Sequence, residues 1–353
     1  MSPMYPIGKV SKKFLEKVIL SNLGASRPEV RSKPRHGIDT GAIKIGKKKV
    51  MVFSTDPISI IPSLELEDSG WLSAHMLAND FATSGLPPEY ATLNFNLPPK
   101  ITNEDFKIYW ESLIKEFSNL GISVISGHTG RYIGCDYSII GAGTIMGIGE
   151  EDHYIDTSMA GIGDSIIITK GLAIEATSIL AKSFPNVITE KIGKSYVIKA
   201  QRTFHHCSVV QDALIASSVG VRDNGVTTMH DVTEGGLYGG LTELASASSK
   251  GLLIEKKNIP ISIEAEKICL LFGLDPYTTI SSGTMIITVK PEKEVEVVDV
   301  LKSKGIISSI IGKIVTPTKG YYYKEEGVKK SINVSSEDQY WKAFWNAYQK
   351  GWT

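Results

Sequence analysis

Val226-Thr227-Thr228-Met229-His230-Asp231-Val232-Thr233-Glu234-Gly235-Gly236 is the stretch on which the fold turns. Its first four residues are a short β-favouring run and predict a strand. The small-residue segment Leu237–Ser248 that follows predicts a helix. Between them stand two acids, Asp231 and Glu234, a hydroxyl, Thr233, and two glycines. A carboxylate at a strand end suits Mg²⁺, a hard cation that takes oxygen ligands and keeps substrate phosphates in its shell. Glycines beside it let backbone amides approach phosphate oxygens. Taken singly, Asp231 and Thr233 read equally well as caps of the next helix.

The same device recurs upstream. Asp56 closes the apolar run Val50–Ser54, before Pro57. Asn79-Asp80 lies within a helix predicted over Trp71–Ser84, which Gly85-Leu86-Pro87-Pro88 ends. Gly127-His128-Thr129-Gly130-Arg131 is read as a loop after the strand Ile122–Ile125. Around these, strands are expected at Gly41–Ile45, Lys49–Asp56, Tyr90–Leu97 and Tyr137–Met146. A helix over Asn103–Leu120 is capped by Thr102, and the order β-β-α-β-α-β-β makes an α+β or split βαβ half. The second half is read as helices at Leu172–Ala181, Gln211–Ser218, Ile263–Phe272 and Lys293–Lys304. Strands are read at Ser165–Lys170, Gly283–Val289 and Ile306–Ile314. A mobile or docking helix over Phe14–Leu23 precedes all this, and an aromatic helix over Tyr340–Trp352 follows it.

The 353 residues suit two domains. With 38 basic and 38 acidic residues the formal charge is zero, which argues against a general affinity for nucleic acid or an anionic membrane. No apolar run is long enough to span a bilayer, and a soluble, cytoplasmic protein is expected. Cys135, Cys207 and Cys269 are too few and too scattered for a disulfide framework or a zinc site. Only 6 of the 38 cations are arginine, and Arg27, Arg31 and Arg35 crowd into the segment Ala25–Thr40. That segment is read either as a solvated loop or as a flap closing over a polyphosphate, with Arg131 facing the same cleft. Three motifs are set aside. Gly193-Lys194-Ser195 lacks the glycine five residues earlier that a phosphate loop needs, since Ile188 is there. Gly141-Ala142-Gly143 lacks the third glycine of a dinucleotide fingerprint. His205-His206-Cys207 places adjacent side chains apart, not on one metal.

Ser54-Thr55-Asp56, Ala78-Asn79-Asp80-Phe81-Ala82-Thr83-Ser84-Gly85, Gly127–Arg131 and His230–Leu237 occur in this order in one superfamily. The chain resembles that group over about Gly37–Ile314. Its members include aminoimidazole ribonucleotide (AIR) synthetase, selenophosphate synthetase, thiamine-monophosphate kinase and the HypE-type hydrogenase-maturation proteins, and the last motif is nearest the HypE-type branch. The resemblance implies a PurM-like two-domain α+β (α/β) fold, the N-terminal sheet joining a second copy's in a barrel, so a homodimer. It implies boundaries of 37–158 for an ATP-binding N-terminal domain and 159–335 for a C-terminal domain, with 1–36 a basic leading segment and 336–353 a tail helix. It implies ATP and Mg²⁺ as cofactors and a small-molecule substrate. Asp39, Asp56, Asp80 and Asp231 would surround the metal. Asn79, Asp80, Gly127, Thr129, Gly130, Arg131, Thr233, Glu234, Gly235 and Arg35 would hold the nucleotide. Asp56, Asp231 and His128 would stand nearest the chemistry, an attack by a substrate oxygen on the γ-phosphate. Three departures accompany it. Asp39 stands where relatives carry paired acids. His128 stands where they carry a carboxylate. The sequence ends Lys350-Gly351-Trp352-Thr353, without the terminal cysteine on which the HypE-type branch builds a thiocyanate, so that thiol chemistry is not expected. A thiamine-phosphate-type kinase and a nucleotide-binding scaffold without turnover remain the alternatives.

Overall fold

The computed structural model describes residues 8–135, 138–335 and 337–353. A short helical turn, α1 (Lys12–Phe14), runs into a wider π-helical turn over Leu15–Ile19. The first sheet follows: β1 (Val30–Ser32), β2 (Gly41–Lys44), β3 (Lys49–Ser59), α2 (Leu66–Ala82), β4 (Tyr90–Leu97), α3 (Asn103–Leu120), β5 (Ser123–Arg131) and β6 (Ile139–Glu150). Its strand order is β1-β2-β3-β6-β4-β5, antiparallel except for the parallel pair β4–β5 at one edge. Strand alternation assigns the two faces. Val50, Val52 and Ile58 of β3 pack beneath the helices with Leu77, Phe81, Tyr109 and Phe117. Met51, Phe53 and Thr55 point to the other, partly open face. Thr102 caps α3 in a reciprocal box with Asp105, and Gly121 ends it in the left-handed conformation, as the sequence predicts.

The second half contains β7 (Ser165–Thr169), α4 (Ile174–Ser183), α5 (Pro185–Ile192), α6 (Lys194–Arg202), α7 (Val210–Ser217), β8 (Val226–Asp231), α8 (Gly236–Ser248) and β9 (Gly251–Glu255). It continues with α9 (Ile263–Phe272), β10 (Met285–Val289), α10 (Glu294–Ser303), β11 (Ser308–Val315), the hairpin β12 (Tyr321–Glu325) and β13 (Val328–Ser331), and α11 (Gln339–Gln349). The sheet order is β13-β12-β9-β11-β7-β10-β8. Both faces are covered. Ile167, Met229 and Ile287 pack with α7 and α10, while Ile166, Ile168 and Ile286 pack with α8. This is why β7 and β10 read as continuous apolar runs.

The two halves share their cores. One apolar cluster joins the first sheet to α7, β8 and β10, and another joins Leu72 of α2 to α4, α9 and α11. α2 therefore lies between the halves, beside the edge strand β8.

Two expectations need correction, and the rejection of the phosphate loop stands. Gly127–Arg131 is strand, not loop: β5 continues through it because β4 offers a free hydrogen-bonding edge as far as Leu97. Gly127 allows the approach, since a Cβ there would lie 2.6 Å from the Leu93 carbonyl oxygen. Gly193-Lys194-Ser195 joins two helices, α5 and α6, so no strand leads into it. The expected helix over Phe14–Leu23 ends at Ile19, with Phe14, Val18 and Leu23 exposed. Tyr137, expected to open a strand, and Ser336, expected to open the tail, lie outside the described residues.

Candidate functional site: a carboxylate cluster between the halves

Four elements converge beside the end of β8. Asp56 projects from β3 toward the helices, and Asp80 from α2. Asp39 comes from the loop before β2, and Asp231 is the last residue of β8, paired across the ladder with Met285. Glu243 reaches in from α8. Asp39, His230 and Asp231 bring ligand atoms within 4.8 Å of one another.

His230 holds this geometry together. Its Nδ1 lies 2.7 Å from Asp39 Oδ2 and its Nε2 lies 3.0 Å from Glu243 Oε2. The ring is buried against Gly240 of α8, where a Cβ would stand 3.4 Å from His230 Cδ2. Burial works against an imidazolium here, but the Asp39 and Glu243 carboxylates raise the His230 pKa well above its ordinary value. Glu243 answers: burial would raise it, yet hydrogen bonding to His230 and the charge of Lys9 pull it down to about 2. With its Nδ1 on Asp39 and its Nε2 on Glu243, and its raised pKa favouring the imidazolium, His230 orients two carboxylates rather than offering a free nitrogen to a metal.

The remaining acids are crowded. Burial, then the charge of Asp39, pushes Asp231 up to about 7, against the pull of His230. Burial, then Asp231, Asp56 and Asp39, raises Asp80 well above the carboxylate range. Asp56 is raised by burial and relieved by a hydrogen bond shared with Asp80. Asp56 Oδ2 is buried and, among the described residues, has no hydrogen-bond partner. An orphaned carboxylate oxygen amid mutually repelling acids fits a divalent cation, which would neutralise the excess charge through oxygen ligands.

The N-terminal segment reaches the same place. The Lys9 amide donates to Glu234 Oε2 at 2.8 Å, and its ammonium donates to Thr233 Oγ1 at 3.1 Å. Lys9 is exposed as a residue, yet its ammonium end is desolvated among the acids; that disfavours the charge, but the carboxylates of Glu243, Asp80, Asp231 and Asp39 outweigh it and raise the Lys9 pKa.

Several expected residues take other positions. Asn79 is fully buried, its amide donating to the Cys207 carbonyl at 2.9 Å and accepting from the Val209 amide at 2.8 Å. It ties α2 to the second half. At the start of α8, Gly235 N–H donates to Asp338 Oδ2 at 3.0 Å and Gly236 N–H to the Thr233 carbonyl at 3.1 Å, so these amides are engaged internally. Glu234 also accepts from Trp341 Nε1 at 3.2 Å. In the sheet register Asp56 lies level with Gly143, Leu93 and Gly127. Three strand spacings put the Gly127–Arg131 edge roughly 14 Å from Asp56 within one chain. There His128 Nε2 meets the Tyr132 hydroxyl at 2.7 Å, and Arg131 donates to Asn103 Oδ1 at 2.8 Å. Gly127, His128 and Thr129 line an exposed hollow of about 340 Å³ with Phe95 and Trp110. The arginines do not gather at one cleft: Arg27 pairs with Glu29 at 2.7 Å, Arg31 pairs with Glu151 at 3.1 Å, and Arg35 is exposed. Arg27 and Arg31 are thus committed to acids outside the junction cluster.

Sequence reasoning missed Lys9, His230 as a site residue, and Glu243. The strand period offered a signal for His230, because it buries an imidazole on the side of β8 opposite Asp231, where it needs partners.

Fold and site together define a two-domain mixed α/β protein with a buried acidic cluster at its domain junction. Two family models describe it: that of the AIR synthase related protein, N-terminal domain, matches residues 37–148, and that of the C-terminal domain matches residues 161–324. The chain belongs to the AIR synthase related family. It is 28% identical over 316 residues to a Methanocaldococcus jannaschii protein provisionally named as a hydrogenase expression/formation protein, covering 89% of this chain and 90% of that one. It is 28% identical over 259 residues to the carbamoyl dehydratase HypE of Cupriavidus necator, covering 71% and 69%. In fold it is similar to E. coli HypE, with a TM-score of 0.69 at 22% identity over 82% of this chain and 86% of that one. It is also similar to AaThiL complexed with AMPPCP and TMP, with a TM-score of 0.67 at 16% identity over 93% and 98%. Among the described residues no helix is long and apolar enough to cross a membrane.

Proposed function

We propose that the chain is an ATP-dependent enzyme that takes MgATP at the junction cluster and transfers the γ-phosphate to an oxygen of a small substrate or carboxamide, so activating it. The observation that carries this reading is the convergence of Asp39 and Asp231 with Asp56 and Asp80, which lie in one another's field, and Asp56 Oδ2 is buried without a hydrogen-bond partner among the described residues. These four residues would hold Mg²⁺, which supplies charge neutralisation at the phosphates. Phosphoryl transfer asks mainly for positioning and electrostatics. His230 and Glu243 serve the first need by fixing Asp39 in a desolvated setting. Lys9, Thr233 and Glu234 offer polar groups beside the metal ligands. The family membership and the nucleotide analogue bound by AaThiL favour ATP as the phosphate donor.

The β5 edge supports a homodimer. Val124 is 37% exposed and Ile125 58% exposed on a strand that, among the described residues, pairs only with β4. A second copy covering it would give Gly127–Arg131, with His128, a part in a site that one chain leaves distant.

Incubation with MgATP and separate candidate acceptors, followed by phosphorus NMR, tests the proposal. A carboxamide that accelerates ADP release supports activation. Conversion of thiamine monophosphate to the diphosphate supports the kinase alternative instead. Binding of ATP with no cleavage for any acceptor would leave the scaffold reading.

A further inference from the structure

We propose that residues 8–12 form a strap that seats the Lys9 ammonium on Thr233, beside the junction carboxylates, in the nucleotide-free chain and must yield that place to a divalent cation. This rests on the reading of those carboxylates as a metal–nucleotide site. The strap is attached at three points: Lys9 N–H to Glu234 Oε2 at 2.8 Å, Lys9 Nζ to Thr233 Oγ1 at 3.1 Å and Lys12 Nζ to Ser246 Oγ at 2.8 Å. Gly8 makes the seat possible. It has φ +107°, a backbone conformation that a residue with a side chain adopts only under strain.

Charge and hydrogen bonds hold this segment; apolar burial does not. Val10 is 54% exposed and Phe14 47%, and no residue from Lys12 to Ile19 is buried. A segment with so little buried surface opens at low cost. Its Lys9 ammonium, bonded to Thr233 two residues past Asp231, lies in the field of Glu243, Asp80, Asp231 and Asp39. A divalent cation on those acids would repel the ammonium and remove the attraction that seats it. The strap and the metal therefore compete, and a strap seated in about nine molecules of ten weakens the apparent metal affinity about tenfold.

The test uses Mn²⁺ as probe, titrated into the full chain without nucleotide and followed by the spin-resonance signal of free Mn²⁺. Lys9→Met removes the competing charge. Gly8→Ala keeps the charge but spoils the seat. Both variants are expected to bind Mn²⁺ about tenfold more tightly than the unaltered chain, as release of the strap requires. In the unaltered chain, Mn²⁺ should speed tryptic cleavage after Lys9, Lys12 and Lys13. Tightening in Lys9→Met but not in Gly8→Ala would mean that charge alone acts, and would overturn the strap. Binding that depends on Asp231 but is equal in all three chains would also overturn it and leave the metal-site reading standing. Absence of Mn²⁺ binding in every chain would overturn both.

Discussion

Replacing His230 with Phe strips the junction cluster of its buried cation. The substitution keeps a ring in the cavity beside Gly240 but deletes the contacts to Asp39 Oδ2 at 2.7 Å and Glu243 Oε2 at 3.0 Å. Asp39 and Glu243 have side-chain exposures of 9% and 17%, so water cannot replace the lost partner fully. The depression of Glu243 from 4.5 to about 2 sets the scale. It corresponds to roughly 3 kcal/mol, at the low end of the cost of breaking a buried pair. Urea unfolding of the unaltered chain, His230→Phe, Glu243→Gln and the double variant measures both the loss and the coupling. His230→Phe should lose about 3 kcal/mol near pH 6, with a coupling above about 1 kcal/mol. The pH dependence follows from the two shifts. The raised His230 gives stability that is full below its ordinary value of 6.5 and fades as pH rises through the folded value. The depressed Glu243 gives stability present above 4.5 and lost as pH falls through about 2. The variant's deficit should therefore be greatest between these limits and shrink at alkaline pH. A deficit below about 1 kcal/mol with no coupling would refute the assignment of His230 as the structural cation of the site.

Other outcomes follow from the same physics. Burial pushes Glu175, which accepts from the Ser282 amide at 3.2 Å, up to about 7. The folded chain then binds the extra proton, so stability falls as pH rises from 4.5 through 7. Glu175→Gln should flatten that slope and add up to about 3 kcal/mol at pH 8, and an unchanged slope in thermal melts would contradict this. Asn79→Leu should cost about 2–4 kcal/mol, because the Cys207 carbonyl and Val209 amide lose buried partners. Hydrogen exchange should quicken at Val209, and an unaltered rate would count against the tie. Ile125→Lys on the β5 edge should shift sedimentation from dimer to monomer, whereas a dimer that persists would place the interface elsewhere.

The acids of the cluster were legible because each one ends an apolar run or interrupts an apolar helix, as Asp56, Asp80 and Asp231 do. The capped helix α3 was legible for a local reason: Thr102 and Asp105 act within one turn. What the sequence concealed is set by distance along the chain. Lys9 meets Thr233 across 224 positions and His230 meets Asp39 across 191, and no local pattern encodes such pairs. The Gly127–Arg131 strand was hidden for a related reason. Glycines there suggest a loop until β4 is seen to offer its edge, and the structural need at Gly127 is the nearby Leu93 carbonyl. Asn79 shows the converse, since its place beside Asp80 suggested a ligand contact that the fold uses instead to join the halves.

Calorimetric titration of MgATP into the unaltered chain and into Asp231→Asn tests the central claim most directly. Nucleotide binding that requires Mg²⁺ and weakens at least about tenfold in Asp231→Asn is the predicted result, as expected for loss of a charged metal ligand. Binding that is indifferent to Mg²⁺, or equal in the two chains, would contradict the assignment of the junction carboxylates as the site of the metal and its nucleotide.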